Sequence, residues 1–294
     1  MPISIQYDHK LNASFLLWVT NLVEGRGQAH TLTSGRFYDT QEVYSNTFAY
    51  SAPFQPFVAD SSVGGATVMT GIYLDNTFIG TGSSGLVDIN YAKGTVYFNS
   101  GITYANNPAN NRLSGVFSVS DFSFKLTNEP EENLLFETKY SLRPKTTQTL
   151  SGIGPSEATF PIIYIKPNGS RNKEWALGGQ ENQTNSLRLV ILADSQYTVD
   201  GVTSLIRDRT RCVLPLITGI TEIPFNSYGG FAGPVYNYNS VFTGRYGTVN
   251  SAFLDDIRVT RIAGVALNEL RKINPAVFVG IIDCDISTIR QPRI

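Results

Sequence analysis

Charge, histidine and sulfur are all scarce in this chain of 294 residues, and each scarcity excludes something. Asp, Glu, Lys and Arg make up 16% of it, 23 basic against 24 acidic residues for a net charge of -1, where soluble globular chains usually carry about a quarter. No long run of either sign occurs, so there is no basic footprint for a nucleic-acid backbone, and sequence-specific nucleic-acid binding is not expected. Arg207, Arg209 and Arg211 cluster but are interrupted by Asp208, which suits a solvated helix end or a subunit ion pair better than a phosphate site. The two cysteines, Cys212 and Cys284, lie far apart without partners at metal-ligand spacing and read as buried thiols. No stretch approaches the roughly 18 apolar residues of a membrane helix. The start, MPISIQYDHK, lacks the basic and then apolar pattern of a signal peptide. Synthesis in a cytoplasm without export is therefore expected, and Asn12, Asn168 and Asn182, which begin formal glycosylation triplets, are expected to stay unmodified.

What replaces the charge is Asn, Ser, Thr, Gly and aromatic side chains, with aromatics at 12% and hydrophobic residues at 41%. Tyr and Phe fit pleated surfaces, and uncharged polar groups cost less to desolvate than ions. The mix suits β-sheets and buried subunit contacts. The length favours two domains, here 1–145 and 146–294.

The first is predicted to open with a helix. Asp8 can cap it, Leu11, Phe15, Trp18 and Leu22 form one apolar stripe, and Gly25 can end it. Hairpins follow around Asp75-Asn76 and around Tyr91-Ala92-Lys93, and residues 116–126 read as one further strand. Together these predict a small antiparallel sandwich or barrel. Residues 133–142 read as a short helix behind the acidic start Glu129-Pro130-Glu131-Glu132.

The second half predicts strands over 160–165 and 186–192, with a turn at Asn168-Gly169 and a helix capped by Asp194 or Ser195 whose Val199, Val202, Leu205 and Ile206 share a face. Extended runs follow at 212–217, 256–266 and 277–286, with a helical turn over 268–272. The fold class is thus α+β, an N-terminal helix and β-sandwich or barrel followed by a mixed-sheet domain. Residues 224–250 carry Pro, Gly, Asn and aromatics without a period. A loop of that length in a compact domain either binds something or folds over its own domain. Its Phe225, Tyr228, Phe231, Tyr236, Tyr238 and Phe242, with Trp175 from a polar loop, are the candidate subunit-interface residues.

Chemistry is hard to build from these residues. His9 lies at a helix start and His30 in a polar loop, and no Gly-x-Ser-x-Gly or Gly-Lys-Ser/Thr pattern occurs. Asp283 and Asp285 project from one strand face, yet alternation assigns Ile282, Cys284 and Ile286 to the core and the aspartates to solvent. Adjacent Asp255 and Asp256 would point to opposite faces. No catalytic residue, cofactor or metal site is assigned, and a non-enzymatic protein is expected.

With residues 160–165, 187–194, the helix through Val199 and Ile206, Leu214-Pro215-Leu216 and the closing strand 278–287, the second half resembles tail-terminator and neck proteins of tailed bacteriophages. The resemblance implies a mixed sheet flanked by helices, and a homo-oligomeric ring, commonly of six subunits, at the head-to-tail junction of the virion. Partners would be the connector, tail tube or sheath, with no membrane involved. The hairpin strands 86–90 and 94–98 look like those common in phage virion proteins. Capsid decoration, a minor capsid role, or a baseplate or fibre adaptor with a carbohydrate-binding-like sandwich are the alternatives. Two complementary patches with few unpaired charges are what a closed ring requires on physical grounds alone.

Overall fold

A computed structural model describes residues 7–44, 47–81, 85–99, 113–137, 140–142, 158–174, 180–218, 236–248, 250–262, 268–270, 272 and 277–290. In chain order the elements are helix α1 (Tyr7–Asn21), a π-helical turn (Leu22–Arg26), β1 (His30–Arg36), β2 (Tyr38–Tyr44), β3 (Thr47–Ser51), β4 (Gly71–Leu74), β5 (Thr77–Gly80), β6 (Leu86–Asn90), β7 (Thr95–Phe98), β8 (Leu113–Ser120) and β9 (Ser123–Leu126). A second π-helical turn (Asn133–Glu137), β10 (Tyr140–Leu142), β11 (Ala158–Phe160), β12 (Ile162–Glu174), β13 (Glu181–Ala193), α2 (Gln196–Arg207), β14 (Cys212–Pro215), α3 (Tyr238–Phe242), β15 (Ser251–Arg261) and β16 (Phe278–Arg290) follow. The fold is α+β with mostly antiparallel sheets, the class expected from the sequence.

Residues 30–120 form a sandwich of two four-stranded antiparallel sheets, β1-β8-β4-β5 and β2-β3-β7-β6. Local chemistry sets both hairpins. Asp75 and Asn76 take φ of 49° and 67°, the paired left-handed geometry of a tight two-residue hairpin. After Tyr91-Ala92-Lys93 the chain needs Gly94, whose φ is 61° and whose missing Cβ would overlap the Phe54 carbonyl. The interior is aromatic: Phe117 stacks on Phe57 at 4.1 Å between centroids and meets Phe37 edge-on at 5.9 Å. The Tyr91 hydroxyl, buried there, donates to the Met69 carbonyl at 2.6 Å.

The other unit is a six-stranded sheet in the order β14-β15-β16-β13-β12-β9, in which β9 alone runs parallel to its neighbour β12. Alternation divides its side chains cleanly. Ile163 and Ile165, Leu187, Leu189 and Ile191, and Ile282, Cys284 and Ile286 face α1 and α2. Ile162 and Tyr164, Val190 and Leu192, and Val279 and Ile281 face the opposite way, under Leu134, Leu135 and Leu270. Helix α2 starts where Ser195, extended at φ -145°, accepts the Thr198 N–H on its hydroxyl. It packs so closely that a Cβ on Gly280 would lie 2.7 Å from Val199 Cγ1.

Five expectations are corrected. Helix α1 is buried from Leu11 through Thr20 apart from Asn12, on far more than one stripe, and its core partners belong to the large sheet. The sandwich keeps its apolar faces inward, so the wide apolar face of the large sheet is what remains to cover the helix. Residues 116–126 are two strands in different sheets, β8 and β9, separated at Asp121-Phe122. A division at residue 145 therefore does not describe the molecule: among the described residues, α1 shares the core of the large sheet, whose strands begin with β9, and the sandwich is inserted between them. Residues 133–137 form a π-helical turn and 140–142 a strand. Asn168-Gly169 is no turn but an irregularity inside β12, where the ladder skips from Pro167 to Gly169.

Candidate assembly surface

One carboxylate joins the two units. Asp60, 2% exposed, accepts from the Asn21 side-chain amide at 2.8 Å and from the backbone N–H groups of Ser62 and Tyr238, both at 2.9 Å. The same loop bonds Ser61 N to the Tyr236 carbonyl at 2.8 Å, and Asn237, which caps α3, donates from its side-chain amide to Ser61 Oγ at 3.0 Å. The end of α1, the sandwich loop at 60–62 and the segment entering α3 are thus held at a single point.

That segment contains three of the candidate interface residues. Tyr236, Tyr238 and Phe242 are 6%, 3% and 1% exposed, in the same core as α1. Burial holds both phenols well above the usual tyrosine range. Burying a large apolar side chain gains about 1.5–3 kcal/mol over leaving it in water, so these rings help to hold the core of their own protomer. Trp175, Phe225, Tyr228 and Phe231 lie outside the described residues.

The face of the large sheet opposite α1 and α2 changes character along its strands. Beyond the apolar rows comes a charged belt. Asp283 and Asp285 do share this face, half-buried, but each is claimed by an arginine. Arg188 binds Asp283 at 2.6 Å and Glu131 at 2.8 Å, which raises the guanidinium pKa, and Arg258 binds Asp285 at 2.9 Å and Asp256 at 3.2 Å. Ser186 Oγ donates to Asp285 at 2.6 Å. Carboxylates so occupied are poor cation ligands, and among the described residues no three His, Cys, Asp or Glu side chains gather as a metal set.

Further out, two rows cross the open end of the sheet. Arg171, Thr184, Ser287 and Phe253 are successive ladder partners, and Lys173, Asn182 and Ile289 form the next row. Phe253 and Ile289 are 44% and 53% exposed. Arg171 and Lys173 are exposed as well, and neither row carries a carboxylate. The sandwich has its own exposed group, Leu32, Val116, Tyr73 and Phe78, on the outer face of the sheet formed by β1, β8, β4 and β5. Sequence reasoning missed both surfaces. In β12 the skipped residue Asn168 reverses the alternation, so that Lys166 and Arg171 share a face. In β15 a skip between Leu254 and Asp256 does the same.

Of the remaining sequence candidates, Arg207 and Arg211 are exposed and Arg209 half-buried in the turn between α2 and β14. His9 is exposed and His30 half-buried. Burial raises the pKa of both cysteines, Cys284 the more. No helix among the described residues is long and apolar enough to cross a membrane. No protein-family model matches the chain, and no curated protein matches it.

Proposed function

We propose that the protein is a non-enzymatic structural component of a tailed-bacteriophage virion that assembles into a ring at the neck or tail, as a tail terminator or head-to-tail connector. The observation that carries the reading is the open end of the large sheet, where Phe253 and Ile289 stand exposed beside Arg171 and Lys173 on rigid paired strands. Exposed apolar side chains bordered by polar ones mark association surfaces, and a sheet holds them at fixed spacing without further loss of backbone entropy. A sheet with helices packed on it, as the resemblance implies for the family, supports the same reading.

The exposed Leu32, Val116, Tyr73 and Phe78 favour a second one, a decoration protein or adaptor that docks through its sandwich. Tyr73 and Phe78 meet at 63°, which suits a protein partner better than the flat platform a sugar needs.

Mass photometry of the purified chain over a range of protein and salt concentrations, with negative-stain images, tests the choice. Closed rings, sixfold ones above all, are expected for the connector. A monomer at every concentration would refute self-assembly and leave the adaptor.

A further inference from the structure

We infer that the ring contact is made head to tail between copies of this chain, the open end of the large sheet in one protomer seating on the acidic turn at residues 129–132 of the next. The inference rests on the assembly reading above. The donor patch is the pair of rows already described, two cations and two exposed apolar side chains on one rigid face. Arg171 and Lys173 form no ion pair among the described residues. The alternate face of the same ribbon is different: there Glu174, Glu181 and Arg290 are successive ladder partners, so carboxylates enter the row.

The acceptor is complementary in charge. Glu129 and Glu132 are exposed, and neither forms an ion pair among the described residues. Glu131 between them is turned inward onto Arg188 at 2.8 Å, which pins the turn to the sheet and leaves its two neighbours projecting. Asn133 donates to Glu129 at 3.3 Å, fixing that side chain further.

Within one protomer the patches lie on separate rows. Glu131 sits over Arg188, whose row partner is Lys166, and Arg171 lies two same-face rows beyond, about 13 Å away at strand spacing. Complementary patches at different places on one chain make a heterologous contact, which closes into a ring when the rotation permits. The weak net charge is consistent with this, since cations and carboxylates are segregated between patches and balanced over the whole chain.

The test uses the full chain and two double reversals, R171E/K173E and E129K/E132K, with all four changes combined as the third variant. Each reversal is expected to weaken assembly by about ten-fold or more, as like charges meet across the contact, and the combined variant to recover it. Because all these side chains are exposed, circular dichroism should be unchanged, and F253S/I289S should weaken assembly in the same way. Wild-type rings indifferent to both reversals would overturn this contact while leaving the assembly reading intact, whereas a wild type that never assembles removes both. Rings that persist while R171E/K173E abolishes salt-sensitive binding of duplex DNA would identify the open end as a nucleic-acid surface and also overturn the inference.

Discussion

Removing the Asp60 carboxylate should cost more than any surface change in the molecule. In Asp60→Ala, three hydrogen bonds to a buried anion disappear. Bonds to charged groups are each worth about 1.5–3 kcal/mol net, and a buried donor left unsatisfied costs about 1–3 kcal/mol. The Asn21 amide and Ser62 N–H are only part-buried and water can replace their acceptor, while Tyr238 N–H is buried and cannot be reached. Counting the buried Tyr238 donor at about 2 kcal/mol and the two part-buried donors at about 1 kcal/mol each gives a loss of about 4 kcal/mol, a large share of the roughly 5–15 kcal/mol that holds a domain together. Asp60→Asn keeps an oxygen for Ser62 and Tyr238 and should lose about half as much. Urea unfolding followed by Trp18, buried on α1, and in parallel by far-ultraviolet circular dichroism measures both. The alanine variant should also separate the two signals, because the sandwich and the large sheet lose their shared anchor. A loss under about 1 kcal/mol, or an asparagine variant as damaged as the alanine one, would refute the account of Asp60 as an anionic acceptor.

Three further outcomes follow from particular contacts. Gly280→Ala places a methyl 2.7 Å from Val199 and 3.2 Å from Thr203 and should cost about 1–3 kcal/mol by overpacking; Val199→Ala in the same chain should recover part of it in thermal unfolding. Ser195→Ala removes the cap of α2 and should lower stability by about 1 kcal/mol, whereas Ser195→Asp should not. The folded pKa values of Cys212, Cys284, Tyr91, Tyr236 and Tyr238 are all raised, chiefly by burial. Their contribution is therefore intact below the unfolded values, about 8.5 for thiols and about 10 for phenols, and is lost as pH rises past them. Urea midpoints should fall above about pH 8.5, and Cys284 should react with iodoacetamide only on unfolding; a flat alkaline profile would contradict the burial.

Features set by neighbours in sequence were legible. The place of helix α1, the Asp75-Asn76 hairpin, the Ser195 cap and the alternation of β16 all follow from periodicity and turn chemistry within a few residues. What needed contacts across the chain was not. Nothing local distinguishes β8 from β9, because the break at Asp121-Phe122 carries no Pro or Gly. The aromatics at 236–242 looked available because their polar, irregular surroundings resemble a loop, and only the fold reveals the space they fill between α1 and the Asp60 loop. At the assembly surface, two single-residue skips, at Asn168 and Asp255, reversed the alternation from which face membership is read.

The place of β16 bears on how the chain reaches its structure during synthesis. This strand follows every other described element in sequence yet lies between β13 and β15. The sandwich has all its described strands once Ser120 has left the ribosome. The large sheet cannot pair its middle until residues 278–290 emerge, which at bacterial or eukaryotic translation speeds is on the order of ten seconds later. In that interval α2 lacks the strand it packs on and β13 lacks the edge partner that β16 later provides. A nascent chain stalled before residue 278 should therefore present a protease-resistant sandwich tethered to a sticky, unpaired remainder, the stage at which a chaperone would have most to bind.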